Sequence, residues 1–258
     1  MAHQTYENVV ISNKINDILT TGININNYLT VDNTLAESAG MKKKVITYSS
    51  TGEIEGLATG EGNASSLQVK KIEKDYPVYT YQGKFSFYDE EEMTDPMIVD
   101  TGLKHNADNM INKFTEEAIT QFSNGSKTVT GAWGFDLVVD AIAKLKVEST
   151  ENLFLLVSVE DAAEIRKALK DDLKYSEGFV RTGYIGSIAG VPVVVSKALI
   201  KGHAFMASKE AVTVFIKKDT ETEYQRDPDT RNNTYYVRKF AVVALTNDDK
   251  VVNLTINA

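Results

Sequence analysis

The spacing of apolar positions changes along this chain, and each change marks an element. Val99, Leu103, Ala107, Met110, Ile111, Phe114, Ala118 and Phe122 recur at steps of three and four residues, as a helix with one buried stripe requires. Asp95-Pro96 supplies an N-cap and a preset first residue, behind the acidic run Asp89, Glu90, Glu91 and Glu92. Asn124-Gly125 stops the pattern. The predicted helix is about 28 residues, a rod of roughly 42 Å at about 1.5 Å per residue. That length is comparable with the diameter of a domain this size.

On the N-terminal side the period shortens to two. KVITYS (44–49) and residues 67–88, ending in PVYTYQGKFSFY, carry β-branched and aromatic strand signals. TGEIEGLATGEGNASS between them is turn chemistry, so residues 42–88 read as an extended two-stranded excursion. Such a hairpin is marginal in water and needs a partner. Residues 1–40, rich in Asn and Thr with isolated aliphatics, predict an arm lying on other protein surface.

On the C-terminal side helix and strand signals alternate. A helix is predicted at 134–147, a buried strand at 152–159 and a helix at 160–171. The loop KYSEGFVRTGYIGSIAG then leads into the strand VPVVVS. Further strands are predicted at 203–218, 220–226, 234–246 and 250–256, with antiparallel pairing across RDPDTRNN. Helices and strands segregate rather than repeat as βαβ units, so the fold class is α+β.

Composition narrows the function classes. No apolar run among the 258 residues approaches the roughly 20 of a membrane span. The N-terminus lacks a basic segment followed by an apolar stretch and cleavage site, so cytoplasmic synthesis is expected. Without cysteine there is no disulfide framework or thiolate nucleophile, which suits a reducing compartment. A formal net charge of -8 argues against a dedicated nucleic-acid binder.

Candidate chemistry is sparse. His3, His105 and His203 are far apart and lack metal-ligand spacing, so no metal or cofactor is expected. The acids Asp89 to Glu92 with Asp95 could furnish a carboxylate pair for hydrolysis, yet acids before a helix also complement its positive end. Gly60 and Gly62 lack the third glycine of a phosphate loop and suit a hairpin tip. Lys42, Lys43 and Lys44 read as a solvated face. Trp133, between small residues, reads as an anchor at a domain junction. Ser158, Ser187 and Ser196 have no GxSxG setting.

Four stretches together carry a family resemblance: DEEEMTDPMIVD, LFLLVSVEDAAEIRKAL, GSIAGVPVVVSKAL and EYQRDPDTRNNTYYVRKFAVVAL. Over residues 42–256 the chain resembles tailed-bacteriophage major capsid proteins of the Hong Kong 97-type fold. The resemblance implies an N-terminal arm at 1–41 and an extended hairpin, the E-loop, at 42–88. It implies a peripheral domain with the long spine helix at 89–130 and 215–240, and an axial domain at 131–214 and 241–258.

The implied function is structural, not enzymatic: self-assembly into hexamers and pentamers of an icosahedral head enclosing double-stranded DNA, without sequence-specific binding. Implied partners are further copies of the chain, a separate scaffolding protein and a portal, with no membrane and no cofactor. The implied location is the virion, after host cytoplasm. Tyr79, Tyr81, Phe85 and Phe87 are the expected hairpin-base packing or intersubunit contacts. Arg226, Asp227, Asp229 and Arg231 are the expected charged contacts near local threefold positions. The lysine-to-asparagine crosslink of some relatives is not carried over, since Lys70, Lys71, Lys74, Lys84, Asn232 and Asn233 are ordinary surface types. Two alternatives are an encapsulin-like nanocompartment shell and, remotely, a glycan-processing enzyme using the acidic cluster.

Overall fold

The structure, a computed structural model, describes residues 28–37, 40–52, 55–64, 66–147, 149–169 and 186–256. The arm anticipated at 1–41 lies outside the described residues up to residue 27, as does most of the loop that precedes GSIAG.

Three sheets and four helices make up the described fold. Strands β1 (Thr30–Asp32), β4 (Tyr79–Tyr88), β10 (Val212–Asp227) and β11 (Asn232–Leu245) form a four-stranded sheet in the order β1-β10-β11-β4. Strands β5 (Lys127–Gly131), β6 (Leu153–Ser158), β7 (Ser187–Ile188), β8 (Val191–Ser196), β9 (His203–Ser208) and β12 (Val251–Ile256) form a six-stranded sheet in the order β5-β12-β9-β6-β8-β7. Among the described residues, strands β2 (Lys42–Thr51) and β3 (Gln68–Pro77) pair only with each other.

The acidic run folds as its own short helix, α1 (Asp89–Thr94), and the long helix is α2 (Ile98–Ser123). Asp95 is not the N-cap of α2, as the sequence suggested. It ends α1 in an extended conformation (φ -132°, ψ 93°), the region to which a following proline confines a residue. Its Oδ1 accepts from the Met97 N–H at 3.0 Å, so Asp95-Pro96 forms an elbow between two helices.

Seven of the eight stripe residues of α2, Leu103 through Phe122, are buried, and Val99 is half-buried. The helix crosses β4 at a notch made by two glycines. A Cβ on Gly83 would fall 1.7 Å from Asn106 Oδ1, and one on Gly102 would fall 2.3 Å from the Phe85 ring. At its other end Phe122 meets Phe154 edge-on (centroids 5.8 Å) and stacks near Phe205 (6.2 Å). Helix α2 thereby joins both large sheets in one core that includes Phe114, Leu156, Val212 and Val243.

The six-stranded sheet has a second core. Helices α3 (Phe135–Leu145) and α4 (Val159–Ala168) contribute Leu137, Val138, Ala141, Ala162 and Ile165 to it, against Leu155, Val157, Met206 and Leu254. Every residue of β6 is buried, as expected of a continuous apolar run in a central strand.

Three boundaries differ from the sequence reading. The excursion ends at Pro77, because β4 pairs antiparallel with β11 along its whole length (Tyr88↔Asn232 to Tyr79↔Ala241). The strand signal at 203–218 is two strands, β9 and β10, separated by the turn around Lys209 and Glu210, while β10 runs on to Asp227 with bulges between Ile216 and Glu221. Strand β5 escaped notice, since KTVTG is short and polar and gains its place by parallel pairing with β12. Residues 28–37 lie on their own chain: β1 pairs with β10, Tyr28 packs on Phe154 (5.0 Å), and Leu35 is buried.

Candidate assembly surfaces

The β2–β3 hairpin is the least covered element. Residues paired across the strands share a face, so Lys44, Ile46 and Tyr48 stand with Asp75, Glu73 and Lys71 on the outer face. There Glu73 bonds Lys44 Nζ at 2.8 Å and also Lys71. The two ammonium groups, Lys44 first, pull its carboxyl down to about 2. The inner face carries Lys43, Val45, Thr47 and Ser49 opposite Tyr76, Lys74, Ile72 and Lys70. Its base is anchored on the body of the chain: Lys43 Nζ lies 4.1 Å from the Phe215 ring centre, and the Tyr76 hydroxyl donates to the Leu245 carbonyl at 3.3 Å. Val45 packs beside Val78, Phe215 and Val242. Away from the base Tyr48 is 68% exposed and Val69 61%.

The elbow and the β10–β11 tip are fastened together. Arg226 Nη2 donates to Asp89 Oδ2 at 2.6 Å, and Arg231 Nη1 reaches Glu90 Oε1 at 2.6 Å. Asn233, buried, donates to Asp89 Oδ1 and accepts from the Tyr224 hydroxyl. The Asn233 amide, then Arg226, hold the Asp89 carboxyl below its ordinary value. Asp227 shapes the turn, accepting from the Asp229 N–H at 3.1 Å and the Thr230 hydroxyl at 2.8 Å. Arg231 closes it with a left-handed φ of 54°. Glu91 is engaged as well, accepting from the Tyr88 N–H at 3.0 Å. The acidic run therefore works as a structural clasp, and Met93 and Met97 stand out from it, 83% and 62% exposed.

The sequence-selected aromatics are split. Tyr81 is buried against Phe114 (4.4 Å), and its hydroxyl bonds Glu117. Burial, then that carboxylate, push the pKa of the phenol well above its ordinary value. Phe87 is buried between Phe85 (5.6 Å) and Tyr235 (6.2 Å). Of the four, Tyr79 is the one classed as exposed, at 53%. Tyr81, Phe85 and Phe87 thus serve the packing of β4 on α2 and β11. Arg226 and Arg231 likewise have partners within their own chain.

A polar hub in the six-stranded lobe was missed. Asp161 is fully buried and accepts from the Ser158 hydroxyl (2.7 Å), Trp133 Nε1 (3.3 Å) and the Gly202 N–H (3.0 Å to Oδ2). Its own N–H donates to Ser158 Oγ at 3.0 Å. The Ser-x-x-Asp spacing at 158–161 is a helix-capping signature that could have revealed it. Trp133 thus anchors loops within one lobe rather than a junction between domains. Among the described residues no three His, Asp or Glu are grouped to hold a metal, and no helix is long and apolar enough to cross a membrane.

The phage capsid protein family profile matches residues 71–253. The major capsid protein of Staphylococcus phage phiMR11 is 28% identical over 119 residues, 45% of this chain and 43% of that protein. The matched region is thus under half the length of that relative. Among solved structures, the mature capsid of bacteriophage PhiM1 superposes with a TM-score of 0.68 at 12% identity, covering 88% of this chain and 86% of that one. The capsid of cyanophage P-SCSP1u gives 0.67 at 10% identity, covering 89% and 86%. The α+β arrangement of hairpin, long helix and two sheets is the Hong Kong 97-type capsid fold anticipated from the sequence. With a family match across most of its length and the same fold in assembled capsids, this chain belongs to the phage capsid protein family.

Proposed function

We propose that the chain is a major capsid protein, the repeating subunit of an icosahedral phage head that encloses double-stranded DNA. One observation carries the reading beyond family membership: a ten-residue-per-strand hairpin whose tip-ward half has no covering layer among the described residues. A two-stranded sheet of that kind is marginal alone, and further copies of the chain supply the missing layer. The hairpin is the E-loop, the four-stranded sheet with α2 the peripheral domain, and the six-stranded lobe the axial domain. Hexameric and pentameric rings follow from heterologous contacts that close. Each contact removes apolar side chains from water at about 25 cal/mol per Å². Many weak contacts acting together let errors dissociate before closure.

A scaffolding protein and a portal are the expected partners, DNA is enclosed without sequence reading, and the protein passes from host cytoplasm to virion. The β10–β11 tip belongs to this proposal as a preformed loop: Arg226, Asp227 and Arg231 set its shape, and exposed Asp229 carries its charge outward. Because the family match is to phage capsids, a phage head is favoured over a cargo-holding nanocompartment. Electron microscopy of the purified protein, alone and with scaffolding protein, tests the reading. Uniform shells are expected, and a particle that stays monomeric under both conditions would overturn it.

A further inference from the structure

The hairpin is attached to the rest of the chain through a small core of its own. No described residue between 42 and 77 belongs to either large core. Val45 and Tyr76 pack instead into a third cluster, formed by buried Leu35, Val78, Phe215, Val242 and Ala244. Leu35 comes from a strap, residues 28–37, that runs along the outer edge of the four-stranded sheet.

The strap touches three parts of the molecule. At its start Tyr28 packs on Phe154 (5.0 Å), with Lys209 Nζ 5.7 Å from its ring centre, and Thr30 Oγ1 donates to the Lys209 carbonyl at 3.0 Å. Its middle is β1, a three-residue parallel pairing with β10 from Thr30↔Thr213 to Asp32↔Phe215, slight by itself. At its end a 3-10 turn over Thr34–Glu37 carries Leu35 under the hairpin root, 4% exposed, while Thr34, Ala36 and Glu37 are exposed. Asp32 Oδ1 accepts from the Thr34 N–H at 2.7 Å, and Lys217 Nζ donates to the Leu35 carbonyl at 3.2 Å. The Thr34 bonds first, and then the charge of Lys43 on β2, hold the Asp32 carboxyl below its ordinary value. Strap and hairpin therefore also meet electrostatically.

We propose that the strap is a wedge that sets the direction of the hairpin. With Leu35 seated, the third cluster is complete and the hairpin leaves the body at one angle. With Leu35 withdrawn, Lys43 on the Phe215 ring and the Tyr76 bond to the Leu245 carbonyl span a void. The hairpin then swings as a unit, because its own ladder is untouched. Local opening of this kind belongs where few buried apolar contacts cross a boundary. Because Tyr28 fastens the other end on Phe154, the strap ties the hairpin's direction to the core that both large sheets share. The device belongs to the single chain, so its test stands apart from whether shells form.

The chain has no cysteine, so paired spin labels can report the angle directly. Labels at Tyr48→Cys on β2 and Val139→Cys on α3, both exposed positions, are expected to give one narrow distance distribution. Leu35→Ala is expected to widen it about twofold, and Leu35→Met to leave it narrow. Asp32→Ala, which unfastens the turn without removing a side chain from the cluster, is expected to widen it less. A second pair, Val139→Cys with Asp229→Cys on the β10–β11 tip, is expected to stay narrow in all three variants. An unchanged Tyr48–Val139 distribution in Leu35→Ala overturns the wedge. Equal widening of both pairs also overturns it, since Leu35 would then hold the whole fold rather than the hairpin.

Discussion

Strands β6 and β3 show two ways of using a strand in one chain. All six residues of β6, LFLLVS, are buried between helices and neighbouring strands. In β3, QVKKIEKDYP, every residue is exposed except half-buried Tyr76. The first strand is held by its own chain and stabilises it. The second contributes little to the isolated subunit, and on the proposed function it gains its worth when another copy covers it. The lesson is that burial is unevenly divided between the two strands; if assembly uses the bare one, as proposed, substitutions should separate stability from assembly.

The largest effect is expected at the shared core. Phe154→Ala removes the ring on which Tyr28 and Phe122 pack and should cost about 3–5 kcal/mol, read as a lower midpoint in urea. Asp161→Ala comes next, because the Ser158, Trp133 and Gly202 donors lose their acceptor. About 1–3 kcal/mol is expected for such orphaned groups, together with a shift in fluorescence of Trp133, the single tryptophan. An unchanged spectrum would place the indole elsewhere.

Gly102→Ala forces a methyl group into the Phe85 ring and should cost about 1–3 kcal/mol by overpacking. Gly60→Ala, with open space around it but a positive φ of 93°, isolates the backbone part of such a change.

The clasp at the tip is weaker and depends on pH. The Asp89 carboxyl titrates below its ordinary value in the folded chain, so the unfolded chain binds its proton first as the pH falls. The stabilisation is therefore complete above the unfolded value, about pH 4, and is lost as the pH drops through the lower folded one. Asp89→Asn should flatten the acid limb of a stability–pH curve by lowering stability at neutral pH, where the carboxylate's bonds to Asn233 and Arg226 contribute in full. An acid limb as steep as that of the unaltered chain would sink this account. The smallest effect is expected at the hairpin. Tyr48→Ser, at a side chain 68% exposed, should change subunit stability by no more than about 0.5 kcal/mol while reducing shell yield. A loss of stability as large as that of Gly102→Ala would show that the hairpin is part of the subunit core.

The stripe of α2, the run of β6, the Asn124-Gly125 stop and the α+β class were legible because each depends on local period and turn chemistry. The buried partners of Tyr81 and Phe87 were not. Alternation in PVYTYQGKFSFY shows that one face is covered, but not whether α2 or another molecule covers it. RDPDTRNN was legible as a hairpin turn, yet its arginines looked outward-reaching until the fold brought Asp89 and Glu90, more than 130 positions away, within bonding distance.

The sequence by itself determined the element types, the hairpin's need for a partner and the family, since periodicity and motif order survive in one dimension. The tertiary structure decided that Pro96 makes an elbow, that β4 leaves the hairpin for the four-stranded sheet, and that the acidic run is a clasp with two exposed methionines. Those outcomes depend on pairings between residues far apart in the chain. Local propensity constrains such pairings only weakly, whereas close packing and the satisfaction of buried polar groups fix them.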